Sequence, residues 1–333
     1  MSDMILVNAP EQSLVRREFK TELYAQFLAF LDVKERTADT YKKALKRLFA
    51  YFAEKGISQP TRLNIIAFRD ELKATVKPST VKTYLTATRL FFRWLEQEGL
   101  YKNIADKVKG AKVEHGHKKD ALTVEQVKDV LKTFATSDSA DLETSKRDYA
   151  IFCLTLTCGL RTIEVSRADV EDLRTLGNKT VLYVQGKGKD EKSDYVIITR
   201  DVERAIREYL STRKGLTETS PLFASTSNNS HGQRLTTRTI SKVIKEHLKQ
   251  AGLNSNRLTA HSLRHTAVTL ALLGGSSLQE ARQFARHANI STTEIYAHNL
   301  ERIANPCESI VSNSIFSAVG PQNGAMTNER KGA

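Results

Sequence analysis

HSLRHTAVTLALLGGSSLQEARQFARHANISTTEIYAH, residues His261–His298, reads as two or three short helices carrying an unusual set of polar side chains. His261 and Arg264 are three apart and share a helical face. His287 and Tyr296 follow, nine apart across a glycine-free turn. Arg and His at such intervals suit an anion whose charge is spread over several oxygens. Two further pieces lie upstream. Arg161 follows Gly159-Leu160 at the start of a helix, and Lys187 sits in the hairpin turn QGKGKDEKSDY, which also holds Lys189 and Lys192. His261 and His265 have the i, i+4 spacing of a zinc pair. HSLRH lacks the Glu of the H-E-x-x-H pattern, however, and Arg264 between them repels a cation, so no metal is expected. Neither glycine-rich nucleotide phosphate loop is present.

The rest of the chain is consistent with a large anionic partner. The 333 residues suggest two domains, and 40% hydrophobic content suffices for two cores. The formal charge is +13, of which residues 1–120 carry +8 and residues 121–333 carry +5. Such a surface favours a polyanion, above all nucleic acid, through release of condensed counterions. No apolar run is long enough for a bilayer, and no leader pattern opens the chain, so a cytoplasmic protein with no membrane role is expected. Three cysteines without a C-x-x-C pair argue against a disulfide framework or a cysteine zinc site.

Apolar periodicity divides the chain. EFKTELYAQFLAFLDVK places Leu23, Phe27, Phe30 and Leu31 on one face. ERTADTYKKALKRLFAYFAEKG places Tyr41, Leu45, Leu48, Phe49 and Phe52 on another, with Gly56 as its stop. TRLNIIAFRDELKA is a third helix. PSTVKTYLTATRLFFRWLEQEG is a fourth, entered through Pro78 and a Ser/Thr cap. A flexible stretch 1–17, a helical domain 18–107, an exposed basic linker 108–121 and a second domain 122–302 are therefore expected. The second domain mixes helices with the strands VLYV and YVIIT around the Lys187 turn. After it, an apolar-dotted segment 303–319 precedes a polar tail 320–333 expected to be disordered. Lys42, Lys43, Lys46, Arg47, Lys82, Arg89 and Arg93 lie off the apolar faces of their helices and are candidate DNA contacts.

With TCGLRTIEV, VQGKGKDEKSDYVI, HSLRHTAVTLALLGG and ARHANISTTEIYAH in this order behind a basic helical domain, the sequence resembles the tyrosine recombinases, the phage-integrase family. The resemblance covers about residues 18–300. It implies a mainly α fold with a small β-sheet: an all-α, SAM-like four-helix core-binding domain and a mixed α/β catalytic domain, together clamping duplex DNA. It also implies a site-specific recombinase that forms a 3′-phosphotyrosyl bond and proceeds through a Holliday junction, without metal or ATP. Tyr296 would be the nucleophile, Arg161 and Arg264 the phosphate clamp, and Lys187 the general acid. His261 would assist proton transfer at the tyrosine, His287 would donate to a phosphate oxygen, and Glu164 would support Arg161.

The resemblance further implies double-stranded recombination sites as partners and a homotetramer on paired sites, with the free protein a monomer or weak oligomer. Segment 303–319 would dock on a neighbouring protomer. With so short a stretch before the first helix, no arm-binding domain is expected, the pattern of Xer-like or mobile-element recombinases. Integration or excision of a mobile element and resolution of DNA dimers both fit, as do two other readings, a type IB topoisomerase-like enzyme and a non-catalytic DNA-binding protein. One departure stands out. Arg286 replaces the glycine that the family often has before this histidine, where it would contact DNA or alter the turn.

Overall fold

An apolar residue at every third or fourth position commits residues 18–97 to helices, and four form: α1 (Thr21–Leu31), α2 (Glu35–Glu54), α3 (Arg62–Thr75) and α4 (Pro78–Gln97). The computed structural model describes residues 21–112, 120–135, 141–186, 188–304 and 306–316, without the side chains of 21–25, 135, 299–304 and 316. The chain divides into two compact units, 1–115 and 116–333. The expected flexible stretch 1–17, the tail 320–333 and residues 113–119 of the expected linker lie outside the described residues.

The first unit is all-α around an aromatic core. Phe27 of α1 meets Phe91 edge-on at 5.2 Å and Trp94 at 5.6 Å, both on α4. Leu45, Leu48 and Phe52 of α2, and Ile65, Phe68 and Leu72 of α3, complete it. Each such side chain contributes about 1.5–3 kcal/mol by leaving water. Phe30 departs from expectation. It is 41% exposed, because the buried face of α1 is centred on Phe27 with Leu28 and Leu31 beside it. The start of α4 also differs: Lys77 is the N-cap, with no side-chain cap bond, and Pro78 takes the first helical position.

After α4 the chain stays docked. Ile104, Ala105 and Val108 are buried in the same core, so the expected linker begins as packed chain. Three arginines hold it there. Arg62 donates to the carbonyls of Asp106 and Lys107, Arg89 to that of Val108, and Arg69 to that of Lys109.

In the second unit, α5 (Val124–Ala135), α6 (Leu142–Thr157) and the short α7 (Thr162–Arg167) precede a 3₁₀ turn at Val170–Asp172. A three-stranded antiparallel meander follows: β1 (Leu173–Leu176), β2 (Lys179–Val184) and β3 (Asp194–Ile198). The sequence reading gave the strands VLYV and YVIIT but no strand over Leu173–Leu176. The overlooked signal was Gly177-Asn178, a two-residue hairpin turn with Gly177 at φ +60°.

Helices α8 (Arg200–Leu210), α9 (Thr237–Gln250), α10 (Ala260–Leu273), α11 (Leu278–Ala285), α12 (Ser291–Ala304) and α13 (Cys307–Phe316) complete the unit. Its core joins Ile151, Phe152 and Leu154 of α6 to Leu182 and Val184 of the sheet, Ile206 of α8, Ile244 of α9 and Leu263 of α10. The chain is thus mainly helical with one small sheet. Among the described residues no helix is long and apolar enough to cross a membrane. Cys158 is buried and Cys153 half-buried, and burial pushes both thiols up to about 11, as suits inert packing residues.

Candidate active site

The site begins where α6 ends. Gly159 turns the chain at φ +57°, a conformation that penalises any side chain. The turn delivers Arg161 to the N-cap of α7. Glu164, on the first turn of α7, closes a local box. Its Oε2 accepts from the Arg161 backbone N–H at 2.9 Å and its Oε1 from Arg161 Nη1 at 2.8 Å. The Glu164 carboxylate is 1% exposed, whereas the Arg161 side chain keeps 29% of its surface in solvent.

Helix α10 supplies the second guanidinium. Thr259 and Ser262 form a capping box at its start, setting His261 on the exposed first turn and Arg264 facing inward at 1% exposure. Arg264 donates through Nη1 to the Gly159 carbonyl at 2.5 Å and through Nη2 to the Ala285 carbonyl at the end of α11. A guanidinium has five N–H donors, so these two bonds orient it without exhausting it. Burial first, and then repulsion from Arg161, pushes its pKa down to about 9, which still leaves it charged at neutral pH.

The remaining groups lie on the last two turns of chain. Ser277 caps α11 with Glu280, and α11 ends at Arg286 in the left-handed region. His287 comes next, buried, its Nδ1 2.9 Å from the hydroxyl of the buried Thr293. Burial, reinforced by Arg264, Arg161 and Arg286, holds His287 down at about 4, so it is neutral at pH 7. Tyr296, on α12, is 4% exposed and packs with Val268 of α10 and Ala285 of α11. Its ring lies 6.2 Å from that of His287 and 5.0 Å from that of His265, which in turn meets His261 edge-on at 4.8 Å. Burial pushes the phenol up to about 12, although Arg264 and Arg161 pull it back, so it starts protonated.

Lys187 lies outside the described residues. Its neighbours are placed. Lys189 pairs with Asp194 at 2.7 Å, while Lys192 bonds Asp169 and Asp172 at 2.6 and 2.5 Å, tying the β2–β3 loop to the 3₁₀ turn. Arg167 donates to the Gly186 carbonyl, and a Cβ built on Gly186 would lie 4.0 Å from Glu164 Oε1. The base of the hairpin loop therefore sits beside the Arg161–Glu164 box.

The structure thus gathers Arg161, Glu164, Arg264, His287 and Tyr296, with His261 one ring further out beyond His265. Sequence reasoning gave His265 no catalytic role and did not single out Thr293. The available signals were spacings: His265 is four residues from His261, and Thr293 is three from Tyr296.

Among the candidate DNA contacts, Lys42, Lys43, Lys46 and Arg47 are exposed on α2, as are Lys82 and Arg93 on α4. Arg47 lies 3.7 Å from Glu71. Arg89 is only partly exposed and strapped to Val108. Arg286 turns inward to Glu164 at 2.9 Å. The carboxylate draws it out of the solvent that a DNA contact would need.

Comparison with known proteins places these features in context. Residues 120–302 match the family described as Phage integrase family, and residues 24–99 match the Phage integrase, N-terminal SAM-like domain. The chain is 31% identical over 219 residues to the tyrosine recombinase XerC of Caldanaerobacter subterraneus subsp. tengcongensis, a match spanning 64% of this chain and 57% of that protein. It is 30% identical over 274 residues to the tyrosine recombinase XerC of Pelobacter propionicus, covering 80% of this chain and 86% of that protein. Among solved structures, the site-specific recombinase XerH bound to palindromic difH substrate, in a post-cleavage complex, has the same fold. The TM-score is 0.67 at 21% identity, over 81% of this chain and 80% of that one.

Proposed function

The chain belongs to the phage integrase family of tyrosine-type, site-specific recombinases, and from that premise we propose how its residues break and rejoin DNA. The Tyr296 hydroxyl attacks the scissile phosphate. A bond forms from the phenolic oxygen to phosphorus, and the bond from phosphorus to the 5′-oxygen breaks. Arg161 and Arg264 hold the non-bridging oxygens, where charge accumulates. His287, neutral and fixed through Nδ1 by Thr293, donates from Nε2 to one of them. The phenol passes its proton toward His261, and Lys187 protonates the departing 5′-oxygen.

The phosphotyrosyl ester conserves the bond energy, so the attack of a second strand's 5′-hydroxyl restores a phosphodiester without ATP or a metal. A homotetramer on paired duplex sites would run two such exchanges through a Holliday junction, for integration and excision or for dimer resolution, in the cytoplasm. Its protomers would be linked by α13, whose Ile310, Val311 and Ile315 are each more than half exposed.

The observation that carries the assignment is Tyr296, buried within ring contact of two histidines and close enough to Arg264 and Arg161 to feel their charge. The test is incubation in EDTA with a nicked suicide duplex carrying the DNA that flanks the protein's own gene, resolved on a denaturing gel. Wild type forms a covalent adduct and Tyr296→Phe forms none. An adduct that persists in the variant overturns the nucleophile, and DNA binding without an adduct in wild type overturns the catalytic reading.

A further inference from the structure

Arg286 is held in a costly place. At φ 52° and ψ 47° it sits in the left-handed region, which costs a side chain about 1–2 kcal/mol relative to a right-handed backbone. Its side chain nevertheless turns inward and is 11% exposed. Nη2 donates to Glu164 Oε2 at 2.9 Å and approaches the Gly159 carbonyl at 3.5 Å, while Nη1 donates to the Phe284 carbonyl at 2.9 Å. Its Nε is buried without a protein acceptor.

The Glu164 carboxylate is therefore shared. One oxygen faces the Arg161 side chain and the other faces Arg286. Burial alone would raise this carboxyl. Arg286 leads the charges that overcome it, ahead of Arg161 and Arg264, and the result lies below the ordinary range. The cluster holds three guanidiniums against one carboxylate, a net of two positive charges in a buried setting. A phosphodiester brings one negative charge, and its pentacoordinate transition state approaches two. Without Arg286, a buried carboxylate paired to Arg161 alone would cancel most of the positive charge that Arg161 offers an anion.

We propose that Arg286 is a positioning residue for strand cleavage: it takes up half of the Glu164 carboxylate, so that Arg161 and Arg264 meet the phosphate with a net charge matched to its transition state. This rests on the assignment of the scissile phosphate to Arg161 and Arg264. Arg286 acts through Glu164 and through its field.

The experiment compares two suicide duplexes that differ only at the position cleaved by wild type. One carries the ordinary phosphodiester and the other a methylphosphonate, in which a neutral methyl replaces a charged oxygen. The proteins are wild type, Arg286→Gly, which removes the charge and relaxes the left-handed backbone, and Arg286→Lys, which keeps the charge. Arg286→Gly is expected to slow phosphodiester cleavage about tenfold or more, and methylphosphonate cleavage less than about threefold. Arg286→Lys is expected to stay within about threefold of wild type on the phosphodiester. Equal slowing on both duplexes, no slowing by Arg286→Gly, or a lysine variant as slow as the glycine variant overturns the proposal. If wild type cleaves neither duplex, the phosphate-site assignment itself fails, a result distinct from the others.

Discussion

Arg264 Nη1 donates to the Gly159 carbonyl at 2.5 Å, a bond between residues 105 positions apart in the chain. The same guanidinium reaches the Ala285 carbonyl. One buried side chain thus ties the turn before α7 to the end of α11, and both segments deliver other site residues: Arg161 on one side, His287 on the other. Orientation of the proposed phosphate clamp and tertiary assembly of the pocket are the same event.

Gly159→Ala attacks this tie at its acceptor. The residue must keep φ +57°, and an added Cβ would lie 3.2 Å from Phe284 Cε1. A loss of about 1–3 kcal/mol in urea unfolding is expected. Adduct formation should fall further than stability alone explains, because the Gly159 carbonyl moves. Unchanged unfolding and unchanged adduct yield would remove the structural role given to this turn.

Glu164→Gln removes the one carboxylate among three guanidiniums. Stability is expected to fall by about 3–5 kcal/mol, since a buried ionic cluster loses its counter-charge. Added sulfate should recover more of the melting temperature in the variant than in wild type. Equal recovery in both would mean that the cluster is not an anion site.

His287 sets a pH dependence. Its folded pKa of about 4 is below the ordinary 6.5, so between those values the unfolded chain binds more protons than the folded one. Stability therefore rises with pH through that window and is lost as pH falls from about 6.5 to 4. His247, also held down by burial, acts in the same direction. His287→Asn should accordingly reduce the slope without abolishing it, as followed by urea midpoints from pH 4 to 7. A slope identical to that of wild type would contradict the buried, neutral state of His287.

Arg89 and Lys82 share α4 but not an environment: Arg89 is partly buried on the Val108 carbonyl, and Lys82 is exposed. Arg89→Ala frees the Val108 carbonyl and should destabilise the first unit by about 1–2 kcal/mol. Lys82→Ala is expected to leave stability within about 0.5 kcal/mol and, if Lys82 meets a phosphate, to lower the salt slope of DNA binding by about one. Fluorescence anisotropy titrations across salt concentrations, set beside melts of each variant, separate the two. A salt-slope change in Arg89→Ala with no loss of stability would reverse the assignment.

The helices were legible because their causes are local. Leu45, Leu48 and Phe52 repeat at helical spacing, Gly56 stops α2 at φ +61°, and Thr236 caps α9 through its own hydroxyl. His261 and Arg264 could be paired for the same reason, one helical turn apart, whereas Arg161, Glu164 and Tyr296 were nominated through the resemblance to the tyrosine recombinases. Phe30 was placed on the buried face and β1 went unassigned where the sequence left two local answers open, an apolar residue at the margin of a face and a short strand after a charged turn. Packing against Phe91 and pairing with β2 chose between them.

The sequence by itself determined which side chains were available to grip a phosphate and which helices would carry them, because periodicity, capping and charge act over a few residues. Tertiary structure alone decided which of them meet. Arg161 and Arg264 meet because Arg264 bonds the Gly159 carbonyl, and Tyr296 joins them by packing on Val268 and Ala285. Arg89 and Arg286, both basic and both candidates for DNA, were instead drawn inward by acceptors that only the folded chain places beside them. A guanidinium goes to the strongest acceptor within its reach, and that reach is fixed by packing between residues far apart in the chain.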